Sequence, residues 1–317
     1  MENDNQTSVT EFILTGLFWD QRNQILFFVL FLSVYLLTVL GNIILICAVI
    51  SSSRMHTPMY YFLCNLSCLD LFYSSTIVPK MLQGMLSTEG GRISIIGCMI
   101  QMGISLYLGE TECILLAVMA YDRYIAICSP LHYRVIMNWN LCKNVTVLMG
   151  LGSFLLSTLP IIVNPIIFCH KKIINHFVCE ILAVLKVACG DLSIYVRMIS
   201  SISVFTLLVP FGFILVSYIC IITTILKIHS VEGRTKAFST CASHLTVVLM
   251  FYGTSISMYM GQSQGNSQNL KYITVVYGTV TPMLNPLIYS LRNSDVKERV
   301  RKLITKIFDR QKKRNFF

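Results

Sequence analysis

Seven apolar runs constrain this chain more than any other feature: about 24–50, 58–81, 95–127, 141–163, 197–226, 237–260 and 270–291. Roughly 20 mostly apolar residues are needed for a helix to cross about 30 Å of hydrocarbon. Inside lipid each backbone N–H and C=O must be satisfied by the protein, which leaves helices or closed barrels. None of the runs carries the short alternating pattern of a barrel strand. Six are strongly apolar, while the seventh, YITVVYGTVTPMLNPLIYSL, is more polar and takes its assignment from context. Composition agrees, since 13% of residues are charged against about 25% in soluble domains. The expected fold is an all-α integral membrane protein, a seven-transmembrane helix bundle over 24–291. The N-terminus is acidic, unlike a cleavable signal peptide, so the first span is expected to serve as the insertion signal.

Charge placement predicts orientation. Residues 1–23 hold four acids against Arg22, a net of −3; residues 292–317 hold ten Lys/Arg against three acids, a net of +7. Basic segments remain cytoplasmic. The tail is therefore predicted inside and residues 1–23 outside, with the chain multi-pass in the plasma membrane. Most of the formal +10 lies in the tail, so the basic balance calls for no nucleic acid. The tail is also suited to anionic membrane lipid. Within it, SDVKERVRKLITKIF opens on a Ser-Asp cap signal and repeats Val296, Val300, Leu303, Ile304 and Ile307 at helical spacing. This pattern predicts a short amphipathic eighth helix on the membrane surface. On the outer side, Asn5 in NQT is a glycosylation acceptor.

Of the cysteines, Cys47, Cys64, Cys68, Cys113 and Cys220 fall in spans, where a thiol packs as a small apolar group. Cys128, Cys142 and Cys241 fall at reducing inner ends. Cys98, Cys169, Cys179 and Cys189 are expected outside, where disulfides persist, and four cysteines allow three pairings. Three of them lie in the long segment 164–196. A loop that long is usually functional or tethered, and three cysteines favour a tethered lid.

Asn42, Asp70, Glu112 and Asn285 are polar groups deep within apolar spans. A charge near mid-bilayer costs at least roughly 2.5–3.5 kcal/mol, so each should face the bundle interior. They are either satisfied separately or join one internal network. Two close carboxylates, Asp70 and Glu112, would share a proton or attract a cation. Pro286 removes a backbone hydrogen bond inside the seventh span and favours a kink.

Six motifs stand in order at the ends of these spans: GN at Gly41–Asn42, MHTPMYYFLCNLSCLD at 55–70, MAYDRYIAIC at 119–128, SY at Ser217–Tyr218, KAFSTCASHL at 236–245 and PMLNPLIYSLRN at 282–293. Together they make the chain resemble a class A (rhodopsin-like) G-protein-coupled receptor, and within that class an odorant receptor of the tetrapod-type branch. The resemblance extends over nearly the whole chain. It implies G-protein coupling and activation through Asp122, Arg123, Tyr124, Tyr218, Tyr252, Asn285, Pro286 and Tyr289. It also implies a polar network of Asn42, Asp70, Glu112 and Asn285 that would hold water or a sodium ion, and disulfides Cys98–Cys179 and Cys169–Cys189. If Cys179 is oxidised, the HFVCE run at 176–180 loses its thiolate as a metal ligand; no metal and no other cofactor is expected.

Departures from the wider class matter as well. The sixth span reads FYGTS, with Tyr252 and no proline. Its inner end reads EGRTKAF, so Arg234 and Lys236 stand where other receptors offer an acid to Arg123. Asp122 is therefore expected to neutralise Arg123 locally. Ser105 stands where amine-transmitter receptors carry Asp, and Thr279 where light receptors carry the retinal lysine, with Lys271 at the outer end.

By resemblance, a small volatile odorant binds among Ser105, Leu106, Gly109, Glu110, Ile202, Ser203, Thr206, Leu207, Ser255, Ile256 and Tyr259, beneath the long loop. Glu110 is the unusual member: it either selects a basic or hydrogen-donating odorant or turns away to a neighbouring span. The expected function is an odorant receptor, not an enzyme, that activates a heterotrimeric stimulatory G protein and raises cAMP, in the cilia of olfactory sensory neurons. Two alternatives are an ion-conducting or transporting protein using Asp70, Glu110 and Glu112, and a non-olfactory small-molecule or lipid receptor of the same fold.

Overall fold

The computed structural model describes residues 10–17, 23–87, 90–169, 171–260, 267–292, 296–302 and 305. Among the described residues, α-helices run in the order α1 (Gln24–Ile50), α2 (Pro58–Leu86), α3 (Ile95–Cys128), α4 (Tyr133–Ile136), α5 (Trp139–Val163), α6 (Ile181–Leu185), α7 (Ser193–Leu226), α8 (Val231–Met260), α9 (Ser267–Val275) and α10 (Thr281–Arg292). Among them α1, α2, α3, α5, α7 and α8 are each long and apolar enough to cross a membrane. The seventh span is α9 and α10 joined through a π-helical turn at Val276–Val280. Its lower apolarity and this interruption have one location.

Local chemistry starts and stops these helices. Pro58 opens α2 at a first-turn position, where its missing N–H has no intrahelical partner in any case. Ser94 Oγ accepts from Gly97 N at 3.1 Å to cap α3, and Asn138 Oδ1 accepts from Leu141 N at 2.9 Å to cap α5. Several helices outrun the apolar segments read from sequence. α2 continues to Leu86, and α8 begins at Val231 behind Ser230, whose Oγ accepts from Gly233 N. Apolarity ends at the hydrocarbon boundary, whereas backbone hydrogen bonding continues into water.

α3 is the central pillar, packed against α2, α5, α7 and α8, with α1 held between α2 and α10. The outer faces of α1, α5 and α7 present Leu26, Phe154 and Val216, each more than half exposed. A soluble monomer rarely displays so much apolar surface; a bilayer covers it. Between helices in lipid, van der Waals packing and polar contacts supply the cohesion that the hydrophobic effect supplies in water.

The bundle carries two small sheets at one end. β1 (Glu11–Leu14) lies between β2 (Gly91–Ser94) and β4 (Ile173–Ile174), antiparallel to the first and parallel to the second, with Phe12 opposite Ile93 and Leu14 opposite Ile174. β3 (Ile167–Phe168) pairs antiparallel with β5 (Ala188–Cys189). The apolar-run reading anticipates neither sheet, since strands of two to four residues leave no periodic signal. Both cysteine pairs named by the resemblance are bonded here: Cys98–Cys179 (Cα–Cα 5.4 Å) and Cys169–Cys189 (6.2 Å). They make 164–196 a folded lid with its own small core, in which Phe12, Leu14, Ile174 and Val184 meet the top of α3 and α7. Lys271 is fully buried, and its ammonium donates to Gly16 O at 2.8 Å and Thr15 Oγ1 at 3.3 Å, tying the segment after β1 to α9.

At the opposite end, residues 296–302 are helical. Val296 is buried and joins the main core with Val300 against it, and Arg299 donates to Ser51 O. Leu303, Ile304 and Ile307 of the expected amphipathic face lie outside the described residues, as does Asn5.

Candidate functional site

A cavity lies between α3, α7, α8 and α9, beneath the lid. Ligand pockets are mostly apolar with a few fixed polar groups. Ser105, Leu106, Gly109, Glu110, Ser203, Thr206, Leu207, Ser255 and Tyr259 are on its wall. Ile202 and Ile256 from the same expected set are not. Each is turned about 100° round its helix from Ser203 or Ser255, and Ile256 packs into the main core instead.

The wall also includes residues that span-by-span reading passed over. Val178, Glu180 and Ile181 reach in from the lid, Tyr73 from α2, and Tyr277 from the π-helical turn. Their only sequence signal is that Val178–Ile181 adjoin Cys179, which the disulfide pulls onto α3. Gln101 completes that attachment: its Oε1 accepts from Cys179 N at 3.1 Å, and its Nε2 donates to Thr76 O at 2.9 Å. Tyr277 makes edge contacts with Tyr73 (centroids 4.9 Å) and Phe251 (5.4 Å). Gly109 makes room for it, because a Cβ there would lie 2.8 Å from the Tyr277 hydroxyl. Gly109→Ala should therefore force the caged ring aside and shrink the cavity. The expected cost is about 1–3 kcal/mol of overpacking, read as a lower thermal midpoint of purified protein and loss of the bulkiest agonists first. An unchanged midpoint and agonist profile would refute this placement of Tyr277.

Two acids line this cavity. Glu110 Oε2 is buried without a hydrogen-bond partner. Glu180 Oε2 caps α6, accepting from Leu182 N at 2.9 Å and Ala183 N at 3.1 Å, while its Oε1 is buried and unpartnered. Burial pushes the Glu180 carboxyl up to about 7, against the two N–H bonds that favour its ionised form. Nearby in the lid, His176 is fully buried and stacked on Phe177, and its Nδ1 accepts from Val178 N at 3.2 Å. Burial first, and then the Lys271 ammonium, lower His176 to about 3, so it is neutral. Cys179 is bonded to Cys98, so the HFVCE run offers no thiolate to a metal.

Deeper in the bundle, Asn285 Nδ2 donates to both oxygens of Asp70, at 3.0 and 3.1 Å. Glu112 is close enough to Asp70 to interact electrostatically, and its Oε1 has no hydrogen-bond partner. Asn42 has a different task. Pro286 cannot donate to the carbonyl one turn back, and Asn42 Nδ2 donates to that Pro282 oxygen at 3.1 Å, as well as to Thr38 O at 3.0 Å. A buried carbonyl left unpaired would be costly. Gly41 permits this approach, since a Cβ there would already be 3.2 Å from the Pro286 ring. The GN pair and the proline thus form one joint between α1 and α10.

The remaining candidates gather at the far end of α3. Asp122 and Arg123 are both buried, but among the described residues no ion pair joins them within 4.0 Å. Asp122 Oδ1 instead accepts from Tyr133 Oη at 2.7 Å. The phenol of Tyr133, pushed above its ordinary range by burial and by Asp122, stays a donor. Arg123 Nη1 points at Met59 Sδ, and its Nε has no partner. Asp122 and Arg123 still attract each other electrostatically, but each has its own close contact instead of a direct ion pair. Tyr124 stacks near Tyr121, with centroids 6.4 Å apart.

Tyr218 lies in a latch with a residue that sequence reading left unassigned inside KAFSTCASHL. His244 Nε2 lies 3.2 Å from Leu116 O and its Nδ1 lies 2.8 Å from Tyr218 Oη, with the two rings nearly parallel. A carbonyl only accepts, so the imidazole proton is on Nε2 and Tyr218 donates to Nδ1, sharing its proton with Cys241 O at 3.2 Å. This latch joins α7, α8 and α3. One level up, Tyr252 Oη donates to Cys113 O at 2.8 Å. Tyr289 is buried beside them, its hydroxyl without a partner.

Comparison with known proteins gives a consistent picture. The olfactory receptor family profile matches residues 31–307. Olfactory receptor 13C9 of Homo sapiens is 48% identical over 97% of this chain and 99% of its own length. Olfactory receptor 13F1 of Homo sapiens is 48% identical over 95% of the chain and 94% of its length. Olfactory receptor 2A7 of Mus musculus is 46% identical over 95% and 97%.

Proposed function

This chain belongs to the olfactory receptor family, and on that premise we propose how it converts odorant binding into a signal. It is a multi-pass membrane protein and an odorant receptor rather than an enzyme. A small volatile molecule enters the cavity under the lid and favours a state in which the Arg123 end opens to a heterotrimeric stimulatory G protein, raising cAMP. The lid end faces outside and the basic tail faces the cytoplasm, against anionic lipid, in the ciliary membrane of olfactory sensory neurons. The two disulfides of the lid support that orientation, because such bonds persist in oxidising surroundings.

The observation that carries this reading is the separation of two sites on shared helices. The cavity touches α3, α7 and α8 near the lid, and the Tyr218–His244–Leu116 latch joins the same three helices at the far end. A ligand that adjusts these helices at one end biases the latch at the other. Between the two, Asp70, Glu112 Oε1 and Asn285 Oδ1 present oxygen donors that suit water or a sodium ion, which would hold one arrangement of the bundle. Asn285, Pro286 and Tyr289 then form the moving inner part of the seventh span.

Magnitudes limit the response. Moving an equilibrium from 1:99 to 99:1 takes about 5.5 kcal/mol of differential affinity, whereas a small ligand gains at most about 1.5 kcal/mol per heavy atom in total binding. Partial agonism and measurable basal signalling are therefore expected. The test is cAMP in cells expressing the full chain, over a panel of volatiles, with and without the stimulatory α subunit. A concentration-dependent rise that needs the α subunit is the expected result. Ligand-dependent cAMP that survives its deletion, or ligand-gated current in its place, would sink the reading.

A further inference from the structure

The cavity holds an unbalanced pair of acids. Glu110 enters from α3 and Glu180 from the lid, and each has one buried carboxylate oxygen with no hydrogen-bond partner. Glu180 is only 9% exposed, and its second oxygen is already committed to the first turn of α6. Among the described residues no Lys, Arg or His lines the cavity, although Lys186 is near enough to attract Glu180 electrostatically. Tyr259, on the same wall, interacts electrostatically with both carboxyl groups.

A buried acceptor without a donor is costly, and the cost falls when a bound group supplies the missing N–H. A protonated amine brings up to three donors and a compensating charge, enough for both free oxygens at once. An alcohol has one O–H and can serve one of them. An aldehyde has no donor, and a carboxylate would bring a further acid beside the two already there. The remaining wall, with Leu106, Ile181, Leu207 and Phe251, suits a hydrocarbon body.

We propose that this cavity is selective for small volatile amines, with the ammonium group held between Glu110 Oε2 and Glu180 Oε1. The inference rests on the cavity being the odorant site, and it adds the chemical class of the ligand. The selectivity comes from two elements at once. α3 contributes one acid, and the disulfide-bound lid contributes the other.

The experiment uses the full-length receptor with n-hexylamine, cyclohexylamine and benzylamine, each against the alcohol, aldehyde and acid of the same carbon skeleton. Two readouts run in parallel: cAMP in cells, and the thermal midpoint of detergent-purified receptor without any G protein. At least one amine should exceed its alcohol by about tenfold in potency, the equivalent of one charge-assisted hydrogen bond. Glu110→Gln and Glu180→Gln should each reduce the amine-to-alcohol potency ratio by about tenfold. Surface expression is measured for both variants, and Glu110→Gln keeps the test decisive if loss of the α6 cap misfolds the other. Amines no better than their alcohols on the native chain overturn the proposal, as do ratios unchanged in both variants. Alcohols that raise cAMP while all three amines are silent in both readouts defeat this inference alone. Amines that raise the thermal midpoint more than their alcohols, while no volatile raises cAMP, uphold it and defeat the G-protein reading instead.

Discussion

Arg123→Ala is expected to abolish odorant-dependent cAMP while the receptor still folds, reaches the surface and binds its ligand. Arg123 is 8% exposed, lies among Tyr218, His244 and Tyr289, and has no carboxylate partner within 4.0 Å among the described residues. Its neighbour Asp122 is held by Tyr133. A buried cation without a hydrogen-bonded carboxylate is a cost to the resting fold, so truncating it removes a desolvation penalty, while Asp122 keeps its Tyr133 bond and loses only the through-space attraction of the guanidinium. The thermal midpoint should stay level or rise. On the proposed mechanism, parting of the Tyr218–His244 latch would free the guanidinium to donate to carbonyls of an entering G-protein segment. Hydrogen bonds to a charged group contribute about 1.5–3 kcal/mol each, so losing two or more amounts to about a hundredfold or greater loss of coupling. The comparison to make is cAMP per receptor at the surface, alongside the ligand-induced thermal shift. Native-strength cAMP from Arg123→Ala would show that coupling runs through other residues.

Loss of the Cys98–Cys179 bond should have the second large effect, and it should exceed that of losing Cys169–Cys189. The bonds close segments with sequence separations of 81 and 20 residues. Loop-closure entropy alone assigns them about 4.5 and about 3.3 kcal/mol. The larger difference is positional. Cys98–Cys179 and the Cys179 N–Gln101 bond hold Val178, Glu180 and Ile181 on the cavity wall, whereas Cys169–Cys189 fastens the β3–β5 ribbon. The Cys98→Ser/Cys179→Ser double variant should lose surface expression and ligand response together. The Cys169→Ser/Cys189→Ser variant should retain a measurable share of both. Surface immunodetection with matched cAMP curves tests this order, and equal losses, or a fully responsive first variant, would contradict it.

Much of the architecture was legible before any coordinates. A membrane helix is recognised by a sum over some twenty neighbouring residues, and that sum needs no knowledge of partners. The six strongly apolar runs therefore reappear as α1, α2, α3, α5, α7 and α8, and the more polar seventh run is the one broken by a π-helical turn. The position of Glu110 on the cavity side of α3 was legible as one of two alternatives, because 3.6-residue periodicity places residues on a face without saying what that face meets.

What the chain alone left open depends on contacts between distant segments. Asn42 reads as one more buried polar group; only the packed bundle shows that it serves the Pro282 carbonyl that Pro286 leaves unpaired, 240 residues away. Asp122 and Arg123 are adjacent in sequence and suggest a mutual pair, yet helical geometry turns adjacent side chains about 100° apart, and Tyr133 takes the acid. Glu180 looks like an ordinary loop acid until the disulfide lowers it over the cavity. The sequence by itself determined that this is a seven-span membrane receptor, because hydropathy and end motifs are local. Tertiary structure decided which polar atoms meet and which two carboxylate oxygens are left facing an apolar cavity, because those outcomes turn on the rotation and mutual packing of helices.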